Sequence, residues 1–198
     1  VARCAALLAG VPDEVPAYTV DRQCASSLQA VMSGMYELMA GEAGIICAGG
    51  VEVMSRLTYY LDPSTRYEPL RMGDKKLYDT FAHGVTIVQP RALYPGLNMG
   101  LTAENVAQRY HITRHEQDAF ALDSQRKMAA AQSAGKFDEE LVPVEVRERK
   151  RTFLFEKDEH NRPDTTMESL AKLKPAFKEG GTVTAGNSSG MNDGASSV

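Results

Sequence analysis

Small and apolar side chains recur at helical spacing over residues 1–11 and stop at Pro12, which predicts an opening helix with Cys4 on its buried stripe. Residues 17–23 read as a short strand. Leu28, Val31, Met32, Met35, Leu38 and Met39 then fall at i, i+3, i+4 spacing, predicting a helix over Ser26–Ala40 with one apolar face, closed by Gly41. Residues 43–48 are apolar, rich in Ile and bounded by glycines, the pattern of a buried strand with Cys47 in the core. Helix, strand, helix, strand in this order is an α/β arrangement with a parallel component.

From residue 57 to about residue 100 the texture turns aromatic, charged and Pro-punctuated, without a sustained period. Such a stretch is too long for a plain loop and marks an insertion or second lobe. A short helix is predicted over 102–110. Thr113 with Glu116 three residues on spells a capping box that opens a long helix to about Ser133, with Gly135 behind it. Residues 141–146 read as an edge strand, 157–165 as a charged loop, and 182–185 as a returning strand that runs into Gly186-Asn187-Ser188-Ser189-Gly190. The domain division is therefore 1–56, an inserted segment 57–181, and a return at 182–198.

Composition narrows the function classes. With 198 residues, 43% hydrophobic and 24% charged, the chain suits one sizeable domain or two small ones. A net charge of −4 argues against a general nucleic-acid binder, whose affinity comes largely from excess Lys and Arg. Arg147, Arg149, Lys150 and Arg151 form a local basic run, read as a solvated face. Three cysteines without metal-ligand spacing are neither a disulfide scaffold nor a metal site, and point to a reducing, cytoplasmic setting. No run reaches the roughly 18 apolar residues of a membrane span. Val1 is not an initiator methionine, and the sequence stops soon after the turn-like Asn192-Asp193-Gly194, so a piece of a longer chain is expected.

Cys24 is the candidate for chemistry. It stands where a predicted strand hands over to a helix, in Arg22-Gln23-Cys24-Ala25-Ser26-Ser27-Leu28. Unpaired N–H groups and the positive end of the macrodipole favour thiolate there, and the same groups can hold the oxyanion formed on a thioester. A cysteine in such a turn is nevertheless a structural residue more often than a nucleophile, so the residues alone leave both readings open.

Four motifs decide between them. QCASSLQAV at Cys24, GGVEVMSR from Gly49, MGLTAENVA from Met99 and TVTAGNSSGMNDG from Thr182 together resemble the thiolase family, acetyl-CoA acetyltransferases in particular, in the family's order. The resemblance covers essentially the whole chain. It implies a layered α/β thiolase-like domain, here partial, with an inserted, mostly helical loop domain. It implies transfer of acetyl or longer acyl groups between CoA thioesters through an acyl-enzyme on Cys24, by Claisen condensation or thiolysis.

By the same resemblance Met99 lies beside the acyl pocket, and Arg162, Ser169 and Phe177 flank the adenine and ribose end of CoA. Ala185 and Ser189 lie beside its pantetheine arm. CoA and acyl-CoA are substrates rather than cofactors; no metal, nucleic acid or membrane partner is implied, and the full-length enzyme is expected to form homo-oligomers. Thiolases take their two bases from the C-terminal half, a histidine in Gly-His-Pro and a cysteine in Cys-x-Gly-x-Gly, and neither motif occurs here. This piece alone is therefore expected to be inactive. His83, His111, His115 and His160 are read as surface or structural.

Two positions depart from the family pattern: Ser27, where many members have glycine, and Asn98, where the biosynthetic acetoacetyl-CoA enzymes tend to have histidine. Among alternatives, a ketoacyl synthase shares the fold but not the insertion carrying MGLTAENVA. A non-catalytic CoA-binding module is the reading outside enzymes.

Overall fold

The computed structural model describes residues 1–68, 70–149 and 151–198, so Lys150 of the basic run lies outside the described residues. In chain order the elements are α1 (Ala2–Leu8), α2 (Ser26–Ala40), β1 (Gly49–Glu52), β2 (Tyr59–Leu61), β3 (Leu77–Asp79), α3 (Thr80–Ile87), α4 (Met99–Tyr110), α5 (Arg114–Ser133), β4 (Val144–Arg147), β5 (Thr152–Phe155), α6 (Met167–Ala171) and β6 (Gly194–Ser197). They divide into two compact units, Val1–Thr58 with Met191–Val198, and Tyr59–Gly190.

In the first unit α2 has the predicted bounds. Gly41 ends it in the left-handed region at φ 74°, and its N–H and that of Glu42 donate to the carbonyls of Leu38 and Glu37. Beside α2, β1 pairs antiparallel with β6 in the register Gly49↔Ser197 to Glu52↔Gly194. The ladder is extended by mutual N–H donation between Ala48 and Val198 at 2.9 and 2.8 Å.

Three expectations fail in this unit. The strand predicted at 43–48 begins instead at Gly49, because the ladder with β6 reaches only to Ala48; Ile45 is 93% exposed and Cys47 is exposed. Residues 17–23 form no strand, since Asp21 Oδ1 takes the Gln23 N–H in a local turn and the Tyr18 hydroxyl donates sideways to Glu37 on α2. Cys4 is exposed, because α1 buries none of its residues. The α/β class holds, but the three two-stranded ladders among the described residues are all antiparallel, not parallel as the element order predicted.

The second unit is built on α4, α5 and α6. Asn98 caps α4 by accepting the Leu101 N–H at 2.9 Å, so this helix starts at Met99 rather than at Thr102. The capping box of α5 is formed as spelled: Thr113 Oγ1 accepts the Glu116 N–H, and the Glu116 carboxylate accepts the Thr113 N–H at 2.7 Å. Gly100, Glu104 and Ala107 of α4, Asp118 and Leu122 of α5, Leu170 of α6, and Val183 and Thr184 are the buried set.

The remaining strands form hairpins. β2 pairs with β3, and His83 of α3 stacks on Tyr78 at 4.4 Å between ring centroids while sharing a hydrogen bond with the Tyr60 hydroxyl. β4 pairs with β5 but starts at Val144, because Pro143 has no N–H to give to a ladder. The basic run lies on this hairpin, where Arg147 and Arg151 pair with Glu145 and Glu148 on an exposed face. Residues 182–185 are a turn rather than a strand; the backbone N–H groups of Thr182, Val183 and Thr184 go to side chains, as described next.

Candidate functional site

Cys24 is exposed and stands one residue before Ala25, the N-cap of α2. The turn that delivers it is held by its own side chains. Asp21 Oδ1 accepts the Gln23 N–H at 2.8 Å, Ser26 Oγ accepts the Arg22 N–H at 2.8 Å, and the Ser26 hydroxyl donates to the Gln23 carbonyl at 2.7 Å. Gln23 sits at φ 54°, left-handed for a residue with a β-carbon, which costs energy that these bonds offset. The Ala25 and Ser26 N–H groups close back on Arg22 and Gln23, while those of Ser27 and Leu28 make no hydrogen bond among the described residues. An exposed thiol beside free helix-start donors can attack a carbonyl and have the resulting oxyanion held.

One other motif meets this helix, and a second is tied to that motif. Gly50 of β1 lies so near Ser27 that a β-carbon on it would strike the serine Oγ. Asp193, in the segment leading into β6, accepts the Ser55 N–H at 2.9 Å and the Ser55 hydroxyl at 2.6 Å. The Ser55 hydroxyl and then its backbone N–H hold the Asp193 carboxyl below the usual carboxylate range.

The six residues expected on the CoA side all belong to the second unit. Met99, 72% exposed, occupies the first position of α4, and the Phe177 ring presses on the adjoining Gly100. Phe177 stands among Lys174, Pro175, Lys178 and Gly180 around an open depression. Ser169 Oγ is committed locally: it accepts the Thr166 N–H at 3.0 Å and donates to the Thr166 carbonyl at 2.8 Å in the cap of α6. Arg162 is tied by its backbone, its N–H donating to Gln125 Oε1 at 2.8 Å while its side chain is exposed. Ala185 and Ser189 are exposed on the turn that follows Thr184.

Two buried acids hold that turn. Glu104, 5% exposed, accepts the Thr182 N–H at 2.9 Å and the Val183 N–H at 2.8 Å through one oxygen, and the Thr182 hydroxyl at 3.1 Å through the other. Burial alone would raise its carboxyl, but the Val183 and Thr182 bonds outweigh that and hold it below the ordinary value. Asp118, 2% exposed, accepts Arg114 Nε at 2.7 Å and Asn187 Nδ2 at 2.9 Å. Asn187 Oδ1 in turn accepts the Thr184 N–H at 2.7 Å.

A family model described as "Thiolase, N-terminal domain" matches residues 1–198. The chain belongs to the thiolase family. It is 50% identical over 199 aligned residues to an acetyl-CoA acetyltransferase of Cupriavidus necator, with 100% of this chain and 49% of the relative covered. An Escherichia coli acetyl-CoA acetyltransferase is 45% identical over 197 residues, again covering 100% and 49%.

In structure the chain resembles human mitochondrial 3-ketoacyl-CoA thiolase with a TM-score of 0.86 at 41% identity, over 98% of this chain and 48% of that one. The human enzyme in complex with CoA matches with a TM-score of 0.83 at 41% identity, over 98% and 46%. The chain thus spans about half the length of the curated relatives it matches.

Within this thiolase chain hydrogen bonds tie two of the four motifs to the two halves of TVTAGNSSGMNDG. MGLTAENVA holds TVTAGNSSG through Glu104, and GGVEVMSR holds the following GMNDG through Ser55 and Asp193. Sequence reasoning missed Glu104, Asp118 and the left-handed Gln23. The first carried a signal: Gly100, Glu104 and Ala107 fall on one buried face at i, i+4, i+7, so an acid stood on an otherwise apolar stripe. Gln23 carried none, since glutamine has no preference for the left-handed region.

The four histidines have no such convergence. His83 is engaged with Tyr60 and Tyr78, His111 ends α4 at φ 56°, and His115 and His160 are exposed. Among the described residues no three His, Cys, Asp or Glu side chains stand together so as to hold a metal ion, and no helix is long and apolar enough to cross a membrane.

Proposed function

We propose that the chain is the nucleophile-bearing part of an acyl-CoA C-acyltransferase of the acetyl-CoA acetyltransferase type, in which Cys24 carries the acyl group. The observation that supports this best is an exposed Cys24 presented by a left-handed Gln23 at the start of α2, beside the N–H groups of Ser27 and Leu28, which make no hydrogen bond among the described residues. The Cys24 thiolate attacks the thioester carbonyl and the negative charge moves to oxygen. Collapse of that intermediate breaks the bond to the CoA sulfur, leaving an acyl thioester on Cys24 and CoA, which takes up a proton. In the condensing direction the deprotonated α-carbon of a second acyl-CoA attacks the Cys24-bound acyl carbon and expels the thiolate. Thiolysis is the reverse.

The bases for both half-reactions come, by family resemblance, from residues outside this sequence, so the 198-residue piece alone gives no sustained turnover. Met99 faces the acyl chain in this proposal, Arg162, Ser169 and Phe177 take the adenosine end of CoA, and Ala185 and Ser189 take the pantetheine arm. Segment 57–181 serves as the inserted loop domain, in a cytoplasmic homo-oligomer.

The test is CoA-dependent cleavage of acetoacetyl-CoA by the full-length protein. Cys24→Ala is expected to abolish it while CoA still binds. Retained cleavage by Cys24→Ala would reject the proposal, and so would an active parent that takes only carrier-protein thioesters.

A further inference from the structure

Asp118 has no place in the acyl-transfer steps above, yet it is 2% exposed and both of its oxygens are engaged. Its Oδ2 accepts Arg114 Nε at 2.7 Å, and Arg114 Nη2 passes on to the carbonyls of Leu170 and Leu173 at 2.6 and 3.1 Å, at the C-terminal end of α6. Its Oδ1 accepts Asn187 Nδ2 at 2.9 Å. That same nitrogen donates to the Thr182 carbonyl at 3.1 Å, while Asn187 Oδ1 accepts the Thr184 N–H at 2.7 Å. One carboxylate therefore stands between the helix that carries Ser169 and the turn that carries Ala185 and Ser189.

We propose that Asp118 is a positioning residue that sets the spacing between α6 and the 182–189 turn, and so shapes the surface against which the pantetheine arm of CoA lies. The inference rests on the CoA-side reading of Ser169, Ala185 and Ser189 given above. Direct packing supports it: a β-carbon on Gly186 would come to 2.5 Å from Leu173 Cδ1 and 2.6 Å from Leu170 Cδ2, so the turn sits directly on the two residues whose carbonyls Arg114 holds. Helix and turn are thus locked twice, by side chains in contact and by a hydrogen-bonded path through Asp118.

The chemistry calls for a carboxylate at this position. Arg114 and Asn187 both offer N–H donors, so the residue between them has to accept on both sides, which an ionised carboxylate does and an amide cannot. Asp118→Asn must turn its NH2 toward one of them and lose that bond. Asp118→Glu keeps both acceptors but lengthens the arm, shifting the spacing without removing the connection.

The experiment uses the full-length enzyme and follows KM and kcat for acetoacetyl-CoA cleavage together with the rate at which iodoacetamide alkylates Cys24. Asp118→Asn is expected to raise KM about tenfold, with kcat changed much less and Cys24 alkylation unchanged, because the defect lies in the binding surface for the arm and not at the thiol. Asn187→Ser, which cuts only the turn side of the path, is expected to show the same pattern and keeps the test decisive if Asp118→Asn does not fold. Asp118→Glu is expected to fall between parent and Asp118→Asn.

Unchanged KM in a folded Asp118→Asn or Asn187→Ser enzyme overturns the inference while leaving the CoA reading intact. A fall in kcat and in Cys24 alkylation at constant KM also overturns it, since that pattern belongs to general loosening of the fold. A parent enzyme whose rate does not saturate with acyl-CoA removes the CoA reading itself, and the inference with it.

Discussion

Ser27 rests against Gly50: the hydroxyl oxygen of the helix residue occupies the space a side chain on the strand residue would need. Ser27 is a position where many thiolases carry glycine, and the extra atoms are accommodated because the facing strand residue has no side chain. This close approach lies two helix positions from Ala25, the cap residue that follows Cys24.

Gly50→Ala should therefore lower stability by about 1–2 kcal/mol, as overpacking a tight contact does. In a Ser27→Gly background the same change should cost less, because the oxygen that blocks it is gone. Thermal unfolding of the four proteins of this double-mutant cycle measures the coupling. Equal costs in both backgrounds would show that the contact does not limit Gly50.

Glu104→Gln should destabilise the enzyme by about 2 kcal/mol at neutral pH: one amide oxygen still takes the Thr182 and Val183 N–H groups, but without the negative charge, and the NH2 group meets the Thr182 hydroxyl in place of an acceptor. The pH dependence has a definite sign. The folded-state pKa of Glu104 is lowered from an ordinary 4.5, so its stabilisation is fully present above that value and is lost as pH falls through the lowered folded value. Denaturant unfolding of parent and Glu104→Gln should converge in acid and separate toward neutrality. A constant difference across the range would contradict an ionised Glu104.

Ser55→Ala should move the titration of Asp193 upward toward the ordinary 3.8, because the serine hydroxyl, followed by its backbone N–H, is what lowers it. A carboxyl-carbon NMR titration of Asp193 reads this directly. No movement would mean that the link between the GGVEVMSR and GMNDG segments is not formed in solution.

What could be read from the sequence divides along physical lines. Helix α2 and the start of α5 were legible to the residue because that stop and that start are written locally, in Gly41 and in the Thr113–Glu116 box. The strand expected at 182–185 was not, since the β-branched run Thr182-Val183-Thr184 fits a strand equally well. What decides it is Glu104, 78 residues away along the chain from Thr182. The start of β1 was misplaced for the same reason, as it depends on where β6 pairs. Cys24 was singled out by its motif, whereas the buried acids Glu104 and Asp118 behind the 182–189 turn could be found only once α4, α5 and that turn were seen together.

Mass analysis of the full-length enzyme after brief exposure to acetyl-CoA shows whether Cys24 accepts the acyl group. One acetyl group per chain is expected, located on the peptide containing Cys24 and absent from Cys24→Ser. A folded, CoA-binding enzyme with no acetyl on Cys24, or with acetyl on Cys4 or Cys47 instead, would contradict acyl transfer to Cys24.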